Sequence, residues 1–395
     1  MKTKLLPSLI GLFLAALLLV ACGGQAAEPV AEAPPPATAI PPTETPVPPT
    51  VTPVPPTATP DPPTETPVPP PATPEPTPTQ ALGKSPSPRG YVGMVYDAES
   101  DLMILFGGQT GECCSPLTQS TETWAFDATT NVWTLLEPAS SPSTSTWGAM
   151  AYDAESDRTI VFGTGDIFPH IGSETWAFDT NSNTWTQMAS GPSAHLGAEL
   201  AYDAESDRVI LFGGWDLGSR FFNDTWAYDF NTDTWTRMRP ANMPLGRNFQ
   251  AMTYDAESDR VLMWGSLEED FERADESIWA YDFNSDTWEQ MPIVEPFPDN
   301  RLYPRLVYDG ESDRTILYGG TPGGLKTWAY DYNTNSWTLM EPAAGPGHVS
   351  RHAMAYNAAA DRVLLFGGER VREYDYTDQT WSYDYNSDAW ENLTP

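Results

Sequence analysis

Arg89, His195, Arg247 and Arg301 each stand seven residues ahead of a recurring tyrosine, and Arg305 and Arg351 lie close by in the same predicted strands. A guanidinium is planar, always charged, and presents its donors in a fork that fits a carboxylate or a sulfate. Gathered around a concave centre, such groups would capture an anionic ligand. Trp147 and Trp215 add two aromatic faces that could stack on a sugar ring or anchor a protein interface, or pack beneath their own loops. His348 and His352 are four apart, yet their neighbourhood offers no third metal ligand. Asp229-x-Asn231-x-Asp233 has the oxygen spacing of a calcium loop but lacks its glycine and its closing acid, and a tight turn uses the same letters. Cys113 and Cys114 are adjacent; a vicinal disulfide between them is sterically demanding, because neighbouring Cα atoms sit only ~3.8 Å apart. Neither a Ser-His-Asp set nor a phosphate-binding glycine loop is visible, so the catalytic residues are unknown and no metal or cofactor is expected.

The segment that precedes these residues must carry them without folding. Met1–Ala21 opens with Lys2 and Lys4, continues apolar from Leu9 to Val20, and ends on Ala21-Cys22-Gly23. That is the layout of a secretory signal. A cysteine at that cut resembles the lipobox of bacterial lipoproteins, which implies that Cys22 becomes the acylated N-terminus. Residues 22–88 hold 24 of the chain's 40 prolines between Pro29 and Pro88. Proline lacks a backbone donor and fixes φ, so this stretch is expected to be an extended, disordered Pro/Thr-rich stalk. A net charge of −34 argues against nucleic acid as a partner.

From residue 89 onward one unit is written six times. The phrase "YDAESDRVILFGG" at Tyr202–Gly214 has counterparts starting at Tyr96, Tyr152, Tyr254, Tyr308 and Tyr356, at steps of 48 to 56 residues. Each is followed by two tryptophans nine apart, as in Trp226 and Trp235. In the third unit "GAELAY", "RVILFG", "TWAYDF" and "TWTRM" are short, rich in β-branched and aromatic residues, and bounded by turn formers. They are predicted to be four strands of one antiparallel sheet. A period near fifty with four strands per unit points to a β-propeller. The units are placed at about 89–143, 144–192, 193–244, 245–298, 299–345 and 346–395, each complete, with the first expected to pack face to face on the last.

The Arg-bearing loop, inner strand, Phe-Gly-Gly and W-x-Y-D-x-x-T-x-x-W together resemble the kelch repeat, across residues 89–395. Gly163-Thr164 and Gly265-Ser266 depart from Gly-Gly. The resemblance implies an all-β kelch propeller, the fold type of the central domain of galactose oxidase, and the six copies make it six-bladed. It also implies that an Arg ahead of the inner strand often bonds neighbouring backbone. The copper site of galactose oxidase finds no matching ligand set here, whereas a sialic-acid-mutarotase-like site needs only a few arginines and acids.

Strand parity sorts the loops. One rim carries the near-identical "DAESD" and "DFNTDTW" turns, whose 16 and 9 acids against five arginines account for most of the negative charge. The other carries the unlike loops, among them "QTGECCSPLTQSTE" and "WDLGSRFFND". The expectation is a lipid-anchored, monomeric binding module at the cell surface or in the periplasm. It would recognise a surface glycan, an acidic peptide or another envelope protein through Arg89, Trp147, His195, Trp215, Arg247, Arg301, Arg305 and Arg351. A carbohydrate-active enzyme is the alternative.

Overall fold

The repeated phrase is a turn with its own locks. In the third unit Asp203 Oδ1 accepts the Ser206 backbone N–H at 3.0 Å, and the Tyr202 hydroxyl donates to Asp207 Oδ1 at 3.1 Å. Asp207 adopts φ 54°, a left-handed geometry that Asp and Asn tolerate best among residues with a Cβ. Arg208 then bridges to Asp229 at 2.9 Å, tying this turn to the second turn of the same sheet. In that second turn Asp229 Oδ1 accepts the Thr232 N–H and Asp233 Oδ1 accepts the Tyr228 hydroxyl. The calcium-like letters are thus engaged in holding a hairpin.

A computed structural model describes residues 84–111, 118–143, 149–164, 172–193, 195–216, 220–265, 276–299 and 301–394. The signal segment, most of the proline-rich stalk, Cys22, Cys113, Cys114, Trp147 and His170 lie outside the described residues. Within them the regular structure is all β. Six four-stranded antiparallel sheets each take all four strands from one unit, in chain order, so no strand is exchanged between units. The third sheet, for example, runs Glu199–Asp203, Arg208–Phe212, Thr225–Asp229, Thr234–Arg237. Two small three-stranded sheets extend the first and last units at Arg89–Gly90 and Val349–Ser350.

The first strands lie side by side around an axis. Gly93–Asp97, Ala149–Asp153, Glu199–Asp203, Ala251–Asp255, Arg305–Asp309 and Ala353–Asn357 touch in that order, and the last returns to the first. This is a β-propeller. Between neighbouring sheets the outer-strand tryptophan does the joining. Trp235 packs on Phe162 at 5.1 Å and donates its indole N–H to Thr175 at 2.9 Å. Trp185 meets Phe106 and Thr123 in the same way, and Trp390 meets Tyr318 and Thr327. Trp264 stands in the same aromatic column and is fully buried against Trp337. The ring closes by the same joint: Trp133 of the first sheet packs on Phe366 of the last and donates to Thr380. Backbone bonds from Arg89 and Tyr91 to Thr377 and Arg351 reinforce that seam.

Candidate functional site

The strand directions place the inter-sheet links and the irregular loops at one end of the axis, and the positions just before each first strand converge there. Five residues ahead of each aligned tyrosine the described residues are Tyr91, Gly197, Phe249, Tyr303 and Arg351, with φ between 53° and 69°. Bulky side chains rarely occupy this left-handed region, which costs about 1–3 kcal/mol each and persists where surrounding structure holds it. The cluster they form is close. Phe249 and Tyr303 lie 4.4 Å apart, and Tyr91 meets Tyr303 edge-on at 5.7 Å. The Arg351 guanidinium sits 4.3 Å from the centre of the Tyr303 ring and 4.9 Å from that of Tyr91. Glu369 holds the same guanidinium by an ion pair. Gly197 serves this packing, since a Cβ there would come within 2.6 Å of the Phe249 ring. Trp147 occupies the same sequence position in the second unit and lies outside the described residues.

One turn deeper, the first strands carry an ion pair. Arg305 Nη1 donates to Glu199 Oε1 at 2.6 Å and Arg305 Nε donates to the His352 carbonyl at 3.1 Å. Burial pushes the Glu199 carboxyl above its ordinary range, and the pull of Arg305 does not cancel it. Beside the pair, His352 is fully buried, and burial plus the neighbouring Arg305 charge push its imidazole down to about 3. The ring fills the space over Gly319, where a Cβ would meet His352 Cε1 at 2.1 Å.

His352 gives a sign-definite prediction. Its folded pKa lies below the unfolded value of about 6.5, so the stability it permits is full above that pH and is lost as pH falls toward 3. The loss at pH 4 should be roughly 3 kcal/mol. Gln250 occupies the same place in the fourth unit. The His352→Gln variant should therefore lose less stability than the wild-type protein between pH 7 and pH 4 in urea unfolding, and parallel losses would refute the assignment.

The predicted arginines divide into two groups. Arg89, Arg247 and Arg301 are buried, and each donates to a glycine carbonyl 18 residues on: Gly107, Gly265 and Gly319. They brace the start of each unit against the end of its second strand, and they are not gathered around the axis as open cations. His195, in the same sequence position, is buried beneath Phe222 with Nδ1 2.6 Å from the Ser193 carbonyl. Trp215 is half-buried, bridges to Leu196 and Phe221, and stacks on the Phe221 ring. Of the predicted arginines, Arg351 joins the axial cluster, and Arg305 lies deeper in its pair with Glu199. The aromatic members Tyr91, Phe249 and Tyr303 were not singled out from sequence. The signal that could have found them is their common place five residues before the aligned tyrosine, where Trp147 also stands.

The opposite end of the axis is a regular funnel of about 350 Å³ lined by the repeated tyrosines with methionines and small residues. Its tyrosine hydroxyls already bond the turns, and Tyr202 also accepts the Glu155 backbone N–H of the preceding sheet. No cluster of His, Cys, Asp or Glu suited to a metal ion occurs among the described residues. The irregular end therefore holds half-buried tyrosine rings packed on a fixed guanidinium, a set of groups capable of stacking and hydrogen bonding.

A search of curated proteins found no match. The family described as the KLHDC2/KLHL20/DRC7 Kelch-repeats domain matches residues 72–265 and 253–395. With that match spanning all six repeats, the chain belongs to the kelch-repeat family.

Proposed function

We propose that this protein is a lipid-anchored, six-bladed kelch propeller that works outside the cytoplasm as a monomeric binding module. In this reading Cys22 carries the lipid, residues 22–88 are the stalk, and the irregular end of the propeller is held toward the ligand. The observation that carries it is the axial cluster of Tyr91, Phe249, Tyr303 and Arg351, which keeps bulky side chains in a costly backbone geometry. Kelch membership supports an interaction role, and the ring faces suit a ligand with a flat apolar surface. A surface glycan is the leading class because sugar rings offer such faces; an acidic peptide on an envelope protein is the other source of matching chemistry.

Glycan and peptide arrays probed with the wild-type protein and a Tyr303→Ala/Arg351→Ala variant test this. Removal of a central aromatic–arginine anchor should weaken binding by roughly 30-fold or more. Equal binding by the two proteins would remove the axial cluster from the account. Which array responds decides between glycan and peptide.

A further inference from the structure

In the first, second and sixth units an acceptor side chain meets the third-strand tryptophan; in the third, Asp224 pairs with Arg237 instead and the Trp226 N–H has no partner, and the fifth unit puts a cation at the acceptor position. In the first unit Arg89 Nη2 and Trp124 Nε1 donate to the same oxygen, Glu122 Oε2, at 2.7 and 3.0 Å. The acceptor comes from the residue two before the third-strand tryptophan. Glu174 serves Trp176 and Gln379 serves Trp381 in the same way. In the fifth unit that residue is Lys326, whose side chain has donors only.

The donors are nevertheless retained. Arg301 repeats the placement of Arg89, with Nη1 donating to Gly319 O as Arg89 Nη1 donates to Gly107 O. Arg301 is 1% exposed, and its Nε and Nη2 have no partner. Trp328 is 4% exposed, and its indole N–H also has none. Burial pulls the Arg301 guanidinium down to about 10, with the charge of Asp299 acting against that fall. Leaving three buried donors unpaired is costly, and native structures rarely tolerate it without a reason. Lys326 accepts an Arg301 N–H through its carbonyl at 3.3 Å and is itself exposed, beside a cavity of about 280 Å³ that Tyr318, Thr327 and Glu341 also line and that Arg301 and Trp328 do not reach.

We propose that the fifth unit holds a binding site for a small free carboxylate, which takes the place that the Glu122 carboxylate fills in the first unit. Arg301 Nη2 and Trp328 Nε1 donate to its oxygens, as Arg89 Nη2 and Trp124 Nε1 do to Glu122, and the Lys326 ammonium supplies a second positive charge nearby. This site uses none of the side chains of the axial cluster and does not depend on what that cluster binds.

The test uses acetate against chloride at constant ionic strength on the full chain, read by thermal unfolding and by the indole N–H resonance of Trp328, assigned with Trp328→Phe. Acetate at about ten times its Kd should raise Tm by roughly 2–4 °C and move the Trp328 resonance saturably. Lys326→Glu supplies the missing acceptor from within. It should raise Tm in chloride alone and abolish both acetate responses. The Tyr303→Ala/Arg351→Ala variant should keep them, which separates this site from the axial one. A Trp328 resonance that acetate leaves unmoved, or an equal acetate response in Lys326→Glu, would overturn the proposal. Arg301→Gln should also lose the response, and if it does not fold, Lys326→Glu still decides.

Discussion

Trp288→Ala should destabilise the protein by about 3–5 kcal/mol, the range for deleting a large buried aromatic side chain. Trp288 is 1% exposed, lies 5.0 Å from Tyr281 in its own sheet and 5.1 Å from Phe212 in the preceding one, and donates to Thr225 Oγ1 at 2.9 Å. Three losses coincide on truncation: the buried ring area, the contact across the joint, and the partner of a buried hydroxyl. Trp288→Phe separates them. A phenyl ring keeps most of the contact with Phe212 and loses the indole donor, so its cost should fall nearer 1–2 kcal/mol. Urea unfolding of both variants at one pH measures the difference. A Phe variant as unstable as the Ala variant would mean that the indole–threonine bond, and not the ring packing, holds adjacent sheets together.

The same joint explains why the fold was legible in the sequence. Each unit writes out its own turn locks, its column of Phe106, Phe162, Phe212, Trp264, Tyr318 and Phe366, and its outer tryptophan. Local turn chemistry and long-range packing therefore point to the same sheet six times, and agreement across levels is what lets a sequence specify one structure. The site was legible only in part. Arg89, Arg247 and Arg301 stand in a repeated position, but sequence does not tell whether a repeated cation faces the axis or braces a carbonyl. The backbone decided it: two residues later the chain turns through left-handed geometry at Tyr91, Phe249 and Tyr303. Side chains at that later position reach the axial cluster, while the earlier ones remain inside the wall. Arg351 was noticed as a cation, and its position was the informative property. Trp147 was noticed as an aromatic, although it shares that position. Glu199 escaped notice because its partner Arg305 is 106 residues away in sequence and comes close only when the ring closes.

That pair carries the remaining large effect. Arg305→Met should cost about 3–5 kcal/mol at pH 7, because a carboxylate is then left in a protein-enclosed place without its counter-charge. The side chains are only 22% and 19% exposed, so solvent screens the interaction incompletely. Removing Glu199 as well, in Arg305→Met/Glu199→Met, should restore much of the loss, since apolar side chains of similar volume often replace a buried ion pair without net cost. The pH dependence distinguishes this from simple loss of packing. Burial already holds the Glu199 carboxyl above its ordinary range, so the folded state binds its proton more tightly than the unfolded state does. A group with a raised folded pKa contributes most below its unfolded pKa, and that contribution fades as pH rises through the folded one. Without Arg305 the folded pKa rises further, so the Arg305→Met deficit should be large at pH 7 and shrink toward pH 5, as Glu199 takes up a proton and no longer needs a cation. Urea unfolding of the wild-type, single and double variants at both pH values measures this. A deficit that is the same at pH 5 and pH 7 would show that Arg305 matters through its bond to the His352 carbonyl and its packing, with the Glu199 charge contributing little.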